Sequence, residues 1–180
     1  WPIDGVVSAH YGGEATTEIA LAPGVYEAVF SRGIEYSIDR QYIVVEPSRT
    51  TRAVAHLDRV VDTSGYVSAD FHIHSANSPD SGVPLDARVH SYVGEGVEFL
   101  SSSDHDVLTH YGPTIREHGW DTWIATQVGV ESSPLMLSHF LGFPMAYDET
   151  QPQNMPEDLA FDWQARTPGE IMADIRAAGT

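Results

Sequence analysis

The sequence contains no cysteine, so disulfides and thiolate metal sites are excluded, and cysteine usage leaves the redox compartment open. Basic side chains are scarce. Nine Lys and Arg stand against 26 Asp and Glu, a formal net charge of −17, and such a surface repels nucleic acid and anionic membranes. No apolar run is long enough to cross a bilayer. A starting methionine is also missing. Trp1 opens the chain with no legible signal peptide, so an upstream segment is expected, and cytoplasmic, periplasmic and secreted locations all stay open.

What is present is histidine, nine of them in 180 residues, and enough apolar residues (42%) for one domain with a full core or two small ones. With thiolates excluded, any metal must be held by His, Asp and Glu, a donor set that suits zinc, manganese or iron.

Residues 1–66 read as β structure. Strands are expected at Gly5–His10, Val25–Phe30, Gln41–Glu46 and Thr50–Asp58, separated by turns at Tyr11-Gly12-Gly13, Ala22-Pro23-Gly24 and Pro47-Ser48. Short strands with regular turns predict a small all-β sandwich-like domain over 1–65, ending near Asp62-Thr63-Ser64-Gly65. His10 and His56 read as surface or satisfied strand histidines.

From residue 66 to 180 strand and helix alternate. Strands are expected at Tyr66–Ile73, Val97–Ser101, Thr122–Glu131 and Leu135–Phe143. Helices are expected at Val83–Gly96, near 112–118, and from Thr167 to about Ala178. Leu85, Val89, Tyr92 and Val93 share one face of the first helix. Thr167 followed by Glu170 is a capping box at the start of the last, and Gly179 suits its end. The segment 144–166 reads as loop. This alternation argues for an α/β fold with a mainly parallel sheet or barrel, whose chemistry gathers at strand ends.

Polar clusters do follow the apolar runs. His72 and His74 sit two apart, so on a strand both imidazoles face one side and reach a shared metal or neighbouring metals. Asp80, in the Ser- and Pro-rich loop after them, is either a carboxylate completing a metal shell or a turn residue. In Ser103-Asp104-His105-Asp106 the histidine is the natural ligand, with Asp104 or Asp106 orienting its second nitrogen. Glu131 ends an apolar run, as a bridge between two metals or as a strand-end acid. His139, inside an apolar run, is a ligand or a satisfied core histidine. His90, His110 and His118 read as surface residues, and Arg88 and Arg116 are weak candidates for contacting a phosphate.

Asp70-Phe71-His72-Ile73-His74-Ser75, Asp80, Ser103-Asp104-His105-Asp106, Gly129-Val130-Glu131 and His139-Phe140-Leu141-Gly142 together resemble the polymerase and histidinol phosphatase (PHP) superfamily. Pro23–Tyr26 through Ser31-Arg32-Gly33, followed by Asp62–His74, resembles more narrowly its carbaryl-hydrolase-like branch, in which a β domain precedes the PHP domain. The resemblance implies a distorted (β/α)7 barrel, here partial, holding two or three divalent metals. It also implies a hydrolase of phosphoesters, or of related esters, amides or carbamates, that works by metal-activated water on a small-molecule substrate. By position it makes His72, His74, His105, Glu131 and His139 metal ligands. Asp80 joins them at a spacing shifted by one residue, and Asp70 and Asp104 lie behind the ligands. Glu131 and Asp106 are the expected catalytic residues. The family closes its site with a late Asp-x-His pair. No histidine follows His139, so the chain is expected to be truncated before the closing ligands. The alternative is a degenerate PHP-type module with a binding or scaffold role.

Overall fold

The computed structural model describes residues 5–13, 16–134, 138–150 and 166–179. Residues 135–137 of the expected strand at Leu135–Phe143, and 151–165 of the expected loop, lie outside them. The chain divides into two compact units, residues 1–67 with 90–96, and residues 68–89 with 97–180.

In the first unit, β1 (Gly24–Phe30) and β2 (Asp39–Val45) pair antiparallel, in register from Gly24 opposite Val45 to Phe30 opposite Asp39. Both are rich in branched and aromatic residues, and each alternates half-buried with exposed positions, as a strand with one covered face does. The expected strand at Thr50–Asp58 keeps the alternation but joins no ladder. It runs extended, and several of its contacts to 37–44 use side chains: Gln41 Nε2 donates to Val54 O (2.7 Å), Thr51 Oγ1 to Val44 O (2.7 Å), and His56 N to Asp39 Oδ2 (3.2 Å). Gly5–His10 forms no strand either. The described residues of this unit therefore contain one two-stranded layer rather than a two-layer sandwich, and none of those between 5 and 67 is buried. Residues 90–96 belong with this unit because backbone meets backbone. An added Cβ on Gly33 (φ 67°) would lie 2.0 Å from Glu95 O, and His90 Nδ1 is 3.2 Å from Tyr11 O.

The second unit is built on a parallel sheet of β3 (Ala69–Ile73), β4 (Phe99–Ser102) and β5 (Ala125–Gln127), in that spatial order. Helix α1 (Leu85–Gly94), entered after Pro84, connects β3 to β4. Helix α2 (Gly112–Glu117), with Pro113 in its first turn, connects β4 to β5. Two successive strand–helix–strand connections give consecutive parallel neighbours. The apolar run Thr122–Glu131, read as one strand, makes two. β5 ends at Gln127, and after a break at Gly129 the strand β6 (Val130–Ser132) pairs antiparallel with β7 (Phe140–Gly142). Helix α3 (Pro168–Ala178) lays Ile171 and Ile175 against Leu108, Val128, Val130 and Met145, the core beneath β6.

The α3 capping box is complete. Thr167 accepts from Glu170 N, and the Glu170 carboxylate accepts from Thr167 N at 2.7 Å. Gly179, by contrast, caps the helix in an extended conformation rather than a left-handed one. Thr167→Ala is expected to lower the free energy of unfolding by about 1 kcal/mol in urea titrations, and Thr167→Ser to leave it unchanged. Equal stability of all three proteins would show the box to be energetically idle.

Among the described residues no barrel closes: the sheets have two, three and two strands. Nor is any described helix long and apolar enough to cross a membrane.

Candidate metal centre

The centre begins with an irregularity in β3. Its pairing with β4 shifts register between Asp70 and Ile73. Side chains take over the bonds there: Asp70 Oδ1 accepts from His72 N (2.9 Å), and Ser103 Oγ from Ile73 N (2.7 Å). Asp70 thus acts on a candidate ligand, His72, through that residue's backbone. His72 and His74 still share a side, with ring centroids 5.1 Å apart. The loop after β3 then turns back. Buried Ser78 hydrogen-bonds through its hydroxyl to Asp80 Oδ1 (2.8 Å), accepts from His105 N (3.1 Å), and lies 3.2 Å from His74 Nδ1.

His105 and Glu131 are joined by an isolated parallel bridge. Glu131 N donates to Asp104 O (3.2 Å), and Asp106 N to Glu131 O (3.0 Å). Asp104 is fully buried, but its carboxylate does not hold the His105 ring, as the sequence had suggested. It accepts from Ser75 N (2.5 Å), Ser75 Oγ (2.7 Å) and the Thr109 hydroxyl. A buried carboxylate needs several donors, and the turn after His74 supplies two of them. The Ser133 hydroxyl meets His105 Nδ1 instead. Asp106 adopts a positive φ of 55°, and its Oδ1 accepts from Ser133 N (3.1 Å). Burial pushes its carboxyl above the ordinary range. That bond is to backbone, so the Asp106 side chain tethers the 133 turn.

Around Glu131 the side chains converge. Its Oε2 lies 3.0 Å from His72 Nε2, 2.9 Å from His74 Nε2 and 3.6 Å from His105 Nδ1, and its Oε1 lies 2.7 Å from His139 Nδ1. Asp80 closes the other side, with Oδ1 2.9 Å from His74 Nδ1 and Oδ2 3.2 Å from His105 Nε2. The six residues form three overlapping groups whose ligand atoms lie within 4.8 Å of one another: His72, His74 and Glu131; His105, Glu131 and His139; His74, Asp80 and His105. The Glu131 side chain is 3% exposed, whereas those of His72 and His139 are 55% and 52% exposed, so the centre has a buried floor and a solvent-facing side. Burial would raise the Glu131 carboxyl, but hydrogen bonds with His139 and His72 outweigh it and hold the group below its usual value. The bond from His74 holds Asp80 well below the carboxylate range.

All six candidate ligands named from the sequence therefore meet in one place. The supporting serines and threonine (Ser75, Ser78, Ser103, Thr109 and Ser133) were not singled out. Their signal was serine at each strand end, which reads equally well as turn chemistry. His110 is half-buried rather than on the surface. Burial lowers its pKa, and its ring packs 5.1 Å from that of Tyr147.

Comparison with models of protein families, with curated proteins and with solved structures finds no match to this chain.

Proposed function

We propose that the chain carries the centre of a PHP-type, metal-dependent hydrolase acting on a small phosphoester or a related ester or amide. The observation that carries this reading is the crowding at Glu131 Oε2, where nitrogens of His72, His74 and His105 lie within 3.6 Å of one buried carboxylate oxygen. One oxygen has about two lone-pair directions. Three imidazole nitrogens are more than that oxygen can pair with as hydrogen-bond donors, and a cation shared among them would satisfy the crowding. The donor set fits: imidazole and carboxylate, with no thiolate, suits zinc, manganese or iron. His72, His74 and Glu131 would hold one cation, and His105, Glu131 and His139 a second. Such ions, when bound, lower the pKa of coordinated water to near neutrality and polarise a substrate carbonyl or phosphoryl oxygen. The chain's own residues do the rest. Glu131 ties the two groups together, Asp70 and Ser103 fix the strand that presents His72 and His74, and the half-exposed His72 and His139 flank the side open to substrate. The parallel β3–β4–β5 layer is what a partial barrel of this family would contain.

The test is elemental analysis of protein loaded with manganese or zinc, together with a hydrolysis panel of phosphoesters and carboxyl esters. Stoichiometric metal is expected, with turnover of at least one panel member that His72→Ala abolishes. Metal binding should weaken as the pH is lowered, because protons compete with the metal for the ligand nitrogens. No bound metal, and no effect of His72→Ala on any hydrolysis rate, would sink the proposal. Metal bound with no turnover would leave a binding or scaffold role.

A further inference from the structure

His110 belongs to none of the ligand groups of the centre. The residue before it is fixed: Thr109 O accepts from the Ser102 hydroxyl (2.6 Å), and the Thr109 hydroxyl bonds to the Asp104 carboxylate. The His110 ring packs 5.1 Å from that of Tyr147. It also lies against the start of α2, where a Cβ added to Gly112 would come 2.5 Å from His110 Nε2 and 3.1 Å from Arg116 Nη1. The other ring nitrogen, Nδ1, is closed off from solvent and makes no hydrogen bond. Buried polar atoms nearly always have a partner. Here one stands just out of reach: Glu149 Oε1, 3.7 Å away.

The segment that carries Glu149 has a pinned base and an exposed tip. Met145 N donates to Val128 O (2.9 Å) and Ala146 N to Ala178 O (3.2 Å), and Tyr147 packs on the core beneath β6. Asp148 Oδ1 then accepts from Thr150 N (2.9 Å) and Thr150 Oγ1 (2.7 Å), a local turn with Glu149 inside it. The Glu149 side chain is 67% exposed, so it can rotate without disturbing the core.

Burial and the Arg116 guanidinium oppose a charge on the His110 ring, and the Glu149 carboxylate favours one. Tyr147 meets it as an aromatic surface. The balance holds the ring's pKa below its ordinary value, so at neutral pH the ring is uncharged and attracts Glu149 only weakly. A proton taken from solvent makes the contact an ion pair, whose attraction rises as the gap closes. We propose that His110 and Glu149 form an acid-operated clasp, open in the neutral protein and closed when His110 is protonated, which draws the 148–150 turn onto the start of α2. The ring still binds its proton less readily in the folded chain than in the unfolded one. Its contribution to stability is therefore lost as pH falls through about 6.5, and the clasp reduces that loss without reversing it.

The test is a double-mutant cycle in the intact chain. Wild type, His110→Gln, Glu149→Gln and the double variant are unfolded in urea at about pH 8 and about pH 5, the lower value still above the ordinary glutamate range. The two side chains should show no coupling at the higher pH and about two- to fivefold coupling in the unfolding constant at the lower. Equal coupling at both, or none at either, would overturn the proposal. A second measurement does not depend on His110→Gln folding. Followed by NMR, the titration midpoint of the His110 ring should fall in Glu149→Gln, and an unchanged or higher midpoint would refute the pairing. A fixed charge pair would pass that test, so movement is read separately. On going to acid, the amides of 148–150 should gain protection from exchange in the wild type and not in Glu149→Gln. The same protection in both proteins would mean that the turn does not close, and the clasp would be wrong.

Discussion

Glu131→Gln is expected to abolish cation binding at the proposed centre in one substitution. The carboxylate belongs to two of the three ligand groups, contacting His72, His74 and His105 through one oxygen and His139 through the other. Glutamine keeps the size and removes the charge. One of its two terminal atoms becomes an NH2 that donates and cannot ligate. Neither group built on Glu131 retains an anionic donor, so the loss in affinity should exceed the roughly 10–100-fold typical of a substitution behind metal ligands. The readout is thermal. Mn2+ at about 100 times its Kd stabilises a binding-competent fold by roughly 2.7 kcal/mol. The wild type should show that gain as a rise in Tm, and Glu131→Gln should show none, with hydrolysis at background. An equal Tm rise in the variant would mean that Glu131 is not the shared ligand.

A large effect on the fold beneath the centre should come from Gly129→Ala. The methyl carbon would lie 2.4 Å from Ser102 O, 2.8 Å from Ser101 Oγ and 2.9 Å from Gly142 O. Two of these atoms are backbone, on β4 and β7, so they cannot turn aside. The same spot is held by the Ser102 hydroxyl, which bonds to Thr109 O (2.6 Å) and accepts from Gly129 N (3.0 Å). Forcing a carbon into such a contact costs roughly 3 kcal/mol, the upper end of ordinary overpacking. Gly82→Ala, with nothing within 4 Å of the new carbon, is the control and should change stability by less than about 0.5 kcal/mol. Urea denaturation of both variants decides the matter. Equal midpoints would show that the backbones around Gly129 are free to part.

Gly129 also marks where the sequence stopped being legible. Thr122–Glu131 is continuously apolar enough to read as one strand, because hydropathy reports burial and not which neighbour a strand pairs with. The chain changes partner there, from β4 to β7, and only a residue without a side chain passes between the two. The alternation in Thr50–Asp58 was real and still produced no strand. Alternation reports one covered face, whereas a ladder needs backbone groups opposite backbone groups, and here Gln41, Asp39 and Thr51 satisfy part of that backbone from their side chains. The capping box at Thr167 and Glu170 was readable because it depends on residues three apart.

The candidate site was legible to the extent that its chemistry is carried by residue type. His72, His74, Asp80, His105, Glu131 and His139 are uncommon side chains placed after apolar runs. Their division of labour was not legible. Nothing in the spacing shows that Glu131 would meet four imidazoles and Asp80 only two. Nor could the sequence show that Asp104 would turn away from its neighbour His105 to hold Ser75 and Thr109. Those choices depend on contacts between residues far apart along the chain.

The absence of any buried side chain among the described residues between 5 and 67 has a consequence for how backbone amides exchange with solvent. Protection against exchange is set by the free energy of the smallest opening that frees an amide. For the β1–β2 ladder that opening exposes no packed apolar core, so the hairpin's amides should exchange through a local event of low energy. The amides of β4 and β6 sit among buried Leu100, Ser101, Ser102 and Val130. Freeing those means dismantling the core beneath the candidate centre, so the strands that lead into it should be the last to give up their protons.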